Sequence, residues 1–459
     1  MFEADITLVV IGLLLLMVFA GIDVAVALGI TAMVGLFWVT GGDLALTLNF
    51  LGSTATEALR AYVFAVVPLF MLMGEFISRS GAAGDLYNAI NKNLSRIPGR
   101  LAHATVLGNA LFAFVTGTSL ASATTFTRIA YPEMMRHGYN RGFALGSIAG
   151  SACLGMLIPP SLFMVVWGIL TEQSIGQLFI AGVLPGFLLA GLMIVYIFGA
   201  SLAMPRLVGI GVEPEPVPRP VGGDAVQDAT SGVDAEIEQD GGSVWISFAG
   251  IFTAMVGVLG GIWVGWFTPT EGAGIGALLG LVLGVAKGMR WPEIYEAVLA
   301  VGRTAVPIMV LLFAAQLYSR TLALAGVGAA VQDFFIGTGL GPFGVLAVMV
   351  VIWFVMGMLI DSVSIMLLTV PILAPLAIEL GFDPIAFALI GILAIEAGIL
   401  TPPFGLLVYA VKAVVPDRDV TLIEIFAGST PYWIMLLIVM VAVALFPGIA
   451  TYLPSLMIG

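Results

Sequence analysis

The chain has 459 residues, 60% of them hydrophobic and 10% charged, with a mean hydropathy of +1.12. A soluble protein keeps about a quarter of its residues charged, so this is an integral protein of a lipid bilayer, with too little polar sequence for a separate soluble catalytic domain. A net charge of −12 argues against nucleic acid as a partner, the single Cys153 excludes an intrachain disulfide or cysteine metal cluster, and no GxxxxGK loop offers nucleotide chemistry.

In chain order, the first half offers apolar stretches near 5–22, 23–40, 61–78 and 176–203, each close to the roughly 20 residues that cross a bilayer. Two further stretches are interrupted. Residues 101–137 run apolar, turn small and polar at Gly117-Thr118-Ser119-Leu120-Ala121-Ser122 and run apolar again, which predicts a re-entrant helical hairpin. Residues 142–170 form a helix broken in its middle by Ile158-Pro159-Pro160-Ser161. Residues 205–243 are rich in Pro, Gly and acid, with eight acidic residues against Arg206 and Arg219, and read as a disordered linker. The second half brings spans near 244–266, 271–287, 303–320 and 422–447. Its hairpin covers 342–380, with a tip at Gly357-Met358-Leu359-Ile360-Asp361-Ser362, and its broken helix covers 384–412, interrupted at Leu400-Thr401-Pro402-Pro403-Phe404-Gly405. Glu271 reads as a helix start, and Gly272, Gly276, Gly280 and Gly284 behind it as a close helix contact.

The halves 1–204 and 244–459 match each other. A shift of 243 positions sets Pro132 on Pro375, Gly138 on Gly381, Gly155 on Gly398, Leu157 on Leu400 and Pro159-Pro160 on Pro402-Pro403. Three residues later in register, Ala181–Pro185 meets Ala427–Pro431, and the ordered series reads as an internal duplication. If the chain starts outside, every Lys and Arg except Arg60, Arg128 and Arg320 falls on the cytoplasmic face. Both termini are then periplasmic and the linker cytoplasmic. The two hairpins enter from opposite faces, which makes an inverted repeat. The expected fold is an all-α polytopic membrane protein of two such repeats, each with a re-entrant hairpin and a broken helix.

Irregular backbone survives at membrane depth where protein buries it or a polar cavity receives it. In transporters, paired broken helices mark the site, with freed carbonyls turned to cations. Pro159-Pro160 and Pro402-Pro403 remove amide donors and free upstream carbonyls, or are inert kinks. Thr118, Ser119 and Ser122 on one tip and Asp361, Ser362 and Ser364 on the other supply oxygens, with Ser119 and Ser362 equivalent under the shift. Hydroxyls, carbonyls and at most one carboxylate suit a hard monovalent cation, so sodium is the expected coupling ion. Asp361 is an acid inside an apolar run: an ion ligand, or a helix N-cap at the turn. Thr401 adds a hydroxyl or simply packs. Arg128 attracts a substrate carboxylate or makes a structural ion pair. Glu396 is an ion ligand, a proton carrier, one half of a structural pair or an interfacial residue. His103 and His137 fit surface or capping roles.

The runs GMLIPPSLFMVVWGILTEQSIGQLFIAGVLPG from Gly155, TPTEGAGIGA from Thr268, PILAPLAIELGFDPIAF from Pro371 and GILTPPFG from Gly398 resemble the large membrane subunit of tripartite ATP-independent periplasmic (TRAP) transporters. The resemblance covers nearly the whole chain outside the linker. It implies sodium-driven uptake of organic acids across the bacterial cytoplasmic membrane by an elevator-type movement. The implied partners are a periplasmic substrate-binding protein and a small membrane subunit of about four helices. It also implies sodium at Gly117, Thr118, Ser119, Ser122, Ile158 and Pro159 in the first half and at Gly357, Asp361, Ser362, Leu400, Thr401 and Pro402 in the second. Substrate would meet Ser119, Ser161, Ser362 and Arg128. Three departures stand out: the GTSLAS tip where a denser serine run is usual, Glu396 where a neutral residue is expected, and the long acidic linker. The alternative is a self-sufficient anion transporter of the same architecture without a binding protein. An intramembrane enzyme lacks any acid–base pair, metal motif or GxSxG elbow, and oppositely facing hairpins suit alternating access better than a channel.

Overall fold

The structure, a computed structural model, describes residues 2–94, 96–211 and 241–457. All regular elements among the described residues are helical, and seven helices are long and apolar enough to cross a membrane, or eight if the bent pair Arg141–Leu157 and Leu162–Thr171 counts as one. Both expected hairpins form: Arg100–Thr116 packs on Ser119–Arg136, and Pro342–Gly357 on Ser362–Glu379. Each broken helix follows its hairpin. Arg141–Ala152 and Leu154–Leu157 are separated from Leu162–Thr171 by the first proline pair, with a 40° bend. Pro384–Gly398 is separated from Leu406–Val414 by the second. Both begin on an equivalent cap, since the Asn140 side chain accepts from the Phe143 amide at 3.1 Å and Asp383 from the Ala386 amide at 2.9 Å. These contacts satisfy amides that the first turn of a helix leaves open.

Glycine sets how closely the central helices approach. Leu422–Leu445 lies against Arg141–Ala152 with Gly428 facing Gly146, where an added Cβ would stand 2.1 Å from the Gly428 carbonyl. The glycine row behind Glu271 does the same against Val66–Arg79: a Cβ on Gly280 would stand 3.0 Å from the Met73 carbonyl. Thr268 and Glu271 form a reciprocal capping box at that helix start, the Thr268 amide donating to Glu271 at 2.8 Å and the Glu271 amide to Thr268 at 3.4 Å. Ion pairs then tie the helix ends: Lys287 pairs with Asp85, which also accepts from the Ser247 hydroxyl at 2.6 Å, and Arg79 reaches Glu75 at 2.6 Å and Glu296 at 3.2 Å.

Several boundaries differ from the expected ones. Helices Leu44–Arg60 and Ala82–Asn93 form where no span was expected, because both mix apolar with polar residues and are amphipathic rather than apolar throughout. The span expected over 303–320 extends over Trp291–Leu324, begun by Pro292 in the first turn and an acid, Glu293, at the third position. The expected linker 205–243 starts too early: Pro205–Leu207 is a short 3₁₀ turn, Val208 is buried and bridges Tyr139, and Gly209 takes φ +78 beside the His137 carbonyl. Residues 212–240, most of that linker, lie outside the described residues.

Gly146→Val should therefore lower the thermal unfolding midpoint of the purified protein, by an overpacking cost of about 1–3 kcal/mol or more. Gly191→Val, at a position with nothing within 4 Å of a new Cβ, should change it little.

Candidate functional site

The first tip exists because Thr116 is followed by a glycine that can turn left-handed. Gly117 takes φ +58, Thr118 is extended, and Ser119 opens the returning arm. That turn lies against the break in the following helix. The Gly117 carbonyl accepts from the Leu162 amide at 3.1 Å, and a Cβ on Gly117 would stand 2.8 Å from the Pro160 carbonyl. On the other side, a Cβ on Gly155 would stand 3.2 Å from the Thr118 carbonyl. Pro159 and Pro160 carry no N–H, so the carbonyls one turn upstream lose their helical donors; Ser161 restarts the helix by accepting from the Met164 amide at 3.4 Å. A void of about 20 Å³, room for one water-sized body, opens among Thr116, Gly117, Pro160 and Ser161 against Val67 and Phe70. Ser119 and Ser122 are buried, and the Ser122 hydroxyl has no hydrogen-bond partner.

The second tip meets its own break in the same way. Gly357 and Gly398 touch, a Cβ on Gly357 falling 2.8 Å from the Gly398 Cα, and the Phe404 amide donates to the Met358 carbonyl at 3.3 Å. Here the carbonyls freed by Pro402-Pro403 find donors: Gly398 accepts from the Thr401 hydroxyl at 2.6 Å and Ile399 from the Leu407 amide at 3.3 Å. Thr401 thus spends its proton inside its own helix, and its oxygen keeps lone pairs to offer. Asp361 is the N-cap of Ser362–Glu379, accepting from the Ser364 amide at 3.0 Å, and is exposed at the tip. The cap uses one carboxyl oxygen and leaves the other.

Each tip therefore packs on the break that follows it, through Gly117 and Thr118 against Gly155 and Pro160 in the first half and through Gly357 and Met358 against Gly398 and Phe404 in the second. Arg128 stands apart. It lies nine residues beyond Ser119, about 13 Å of helix, is exposed, and has no carboxylate in ion-pair range among the described residues. Glu396, outside the ligand set that the resemblance implies, is 1% exposed near the end of helix Pro384–Gly398. Neither of its carboxyl oxygens has a hydrogen-bond partner. This removes the interfacial and ion-paired readings of Glu396. Its sequence signal was the lone acid two residues before Gly398. No group of three or more His, Cys, Asp or Glu residues able to hold a metal occurs among the described residues.

Comparison with known proteins gives a consistent picture. The family profile of the DctM component of tripartite ATP-independent periplasmic transporters matches residues 11–449. The chain is 30% identical over 408 residues to the C4-dicarboxylate TRAP transporter large permease protein DctM of Pseudomonas aeruginosa, covering 87% of this chain and 88% of that one. It is 27% identical to the sialic acid TRAP transporter large permease protein SiaM of Vibrio cholerae, over 96% of this chain and 97% of that one. It is 29% identical to the ectoine/5-hydroxyectoine TRAP transporter large permease protein UehC of Ruegeria pomeroyi, over 99% of each. These relatives are transporter permeases and not enzymes. In structure, the chain resembles the YdaH transporter of Alcanivorax borkumensis, with a TM-score of 0.65 over 90% of each chain at 14% identity, a likeness of fold.

The tip contacts make a direct prediction. Gly117→Ala and Gly41→Ala both force alanine into a left-handed turn, at a cost of about 1–2 kcal/mol, but Gly41 has open space and Gly117 faces the Pro160 carbonyl. Gly117→Ala should lower the unfolding midpoint more than Gly41→Ala does and slow uptake, whereas Gly41→Ala should leave uptake near wild type.

Proposed function

The chain belongs to the DctM-component family of TRAP transporters, and from that premise we propose that it drives sodium-coupled import of an organic acid anion across the bacterial cytoplasmic membrane. Its partners in this reading are a periplasmic binding protein and a small membrane subunit of about four helices. The observation that carries the proposal is the paired packing of a polar hairpin tip on a proline-broken helix, once in each half. Tip hydroxyls, freed carbonyls and the unused Asp361 oxygen are hard donors suited to sodium. Sodium bound at both tips would draw each tip and break together and place positive charge beside an anion held near Ser119, Ser161 and Ser362. Each ligand then stabilises the same loaded state, which is the condition for coupling. Arg128, exposed on the arm away from the tips, fits attraction of an approaching anion better than direct ligation.

The spacing of 243 residues between the two tip-and-break units supports two inverted repeats, 1–204 and 244–459, that carry the site between them in an elevator-type movement. Both termini lie in the periplasm in this arrangement and the acidic connector in the cytoplasm. The relatives name dicarboxylate, sialic acid and ectoine transporters; this chain takes an organic acid of that general kind. A self-sufficient transporter of the same architecture is the competing possibility.

Asp361→Asn keeps a cap-competent side chain but loses the charge. In proteoliposomes holding the chain with its partner proteins, it should keep the fold and lose most of the sodium dependence of uptake. Normal sodium-driven uptake by this variant would defeat the assignment, and robust uptake by the chain alone would favour the self-sufficient alternative.

A further inference from the structure

A buried polar pair in the first half lies outside the site described above. Asn109, on the hairpin arm Arg100–Thr116, donates from Nδ2 to the Ser151 hydroxyl of Arg141–Ala152 at 2.7 Å. Ser151 gives its own proton to the Ser147 carbonyl at 2.5 Å, so toward Asn109 it can only accept. Both side chains are fully buried, and the Asn109 side-chain oxygen has no hydrogen-bond partner among the described residues. A buried amide with one end unpaired costs stability, so holding the fold together is a poor reason for it. Its place along the chain gives a better one. The two segments run side by side in the same direction, since Asn109 meets Ser151 and, farther along both, Gly117 meets Pro160. Asn109 to Ser151 is a step of 42 residues, and so is Gly117 to Pro159. The register that pairs the two side chains is thus the register that sets the first tip beside its break. The second half does without the pair: the 243-residue shift puts Ile352 in the place of Asn109 and Ala394 in that of Ser151. A buried hydrogen bond there, from Trp353 Nε1 to the Thr369 hydroxyl at 2.8 Å, joins the two hairpin arms to each other.

We propose that Asn109 is a positioning residue for transport: through Ser151 it fixes how far the first hairpin arm stands along the first broken helix, and so seats the first tip at its break. Between apolar helix faces in a membrane, van der Waals packing carries the contact. A buried polar pair adds a register to it, because out of register the donor is stranded at the cost of an unpaired group. One buried asparagine sets the register of coiled coils in the same way. A slip of one turn moves a helix by about 5.4 Å, enough to part the Gly117 carbonyl from the Leu162 amide. This role depends on the packing of tip on break and on the transport reading above, and not on which ion is coupled.

The test is amide hydrogen exchange in the purified full chain, which reads local opening. The Leu162 amide, held by Gly117, reports the first tip, and the Phe404 amide, held by Met358, is the internal reference. Asn109→Ile combined with Ser151→Ala installs the residues of the equivalent second-half positions and strands no side-chain donor. Its unfolding midpoint should equal or exceed that of wild type, since apolar pairs often replace buried polar ones without loss. Leu162 should nevertheless exchange about fivefold faster or more, the scale of one net hydrogen bond, with Phe404 unchanged. Uptake in proteoliposomes with the partner proteins should slow. Ser147→Ala removes a hydroxyl from the same face but keeps the pair, and should leave both amides and uptake near wild type. Ser151→Ala alone should also speed Leu162 exchange, and it serves if the double variant fails to fold. Leu162 exchange at the wild-type rate in the variants overturns the proposal. Equal acceleration of Leu162 and Phe404 with a lowered midpoint makes the pair a general stabiliser and overturns it too. Faster Leu162 exchange with uptake unchanged overturns the role in transport. Absence of uptake by wild type overturns the transport reading instead, and the exchange result then decides the register by itself.

Discussion

A backbone group inside a bilayer cannot borrow a hydrogen bond from water, and the rest of this structure follows from that constraint. Two proline pairs interrupt helices at membrane depth and strip the donors from the carbonyls before them. In the second half, the Thr401 hydroxyl and the Leu407 amide supply replacements, and the Met358 carbonyl of the tip takes the Phe404 amide. In the first half, the tip takes up an amide that the break leaves open, its Gly117 carbonyl accepting from the Leu162 amide. A hairpin tip beside each break therefore satisfies backbone groups that the break leaves open, whether or not the proposed ion binds there. The same irregular backbone that must be protected is what leaves oxygens free to face a cation.

This dependence also makes each tip and its break a single mechanical unit. Gly357 on Gly398, and Gly117 on the Pro160 carbonyl, bring main chain against main chain with no side chain between. Close-packed contacts of this kind do not deform gradually. Opening a tip means parting it from the break, and the ion proposed to hold the two together would control that step. Around these units, glycine contacts such as Gly146 with Gly428 and ion pairs such as Lys287 with Asp85 hold the longer helices in register.

The hairpins, both breaks and most spans were legible in the sequence because their signals are local: a polar patch inside an apolar run, and a proline pair inside a helix. The helix start near Glu271 was legible for the same reason, and the N-cap at Asp361 as one of two readings. Helices Leu44–Arg60 and Ala82–Asn93 were not, since a search for continuous apolar runs passes over a helix with one polar face. The extension of the 303–320 span back to Trp291 was hidden by Glu293, Glu296 and Arg303, charges that a helix tolerates near its end. At the site, the pairing of tips with breaks was readable from order alone, but the position of Glu396 was not. Its burial, at 1% exposure, arises from packing against elements distant in sequence. No local pattern announces such burial.

The most direct measurement is accumulation of a labelled organic acid in proteoliposomes that hold this chain with its binding protein and small subunit, without ATP, under an imposed inward sodium gradient. Trial solutes come from the classes named for the relatives. Sodium coupling predicts accumulation above the outside concentration that collapses when a sodium ionophore dissipates the gradient. Accumulation that persists with sodium equal on both sides would contradict it.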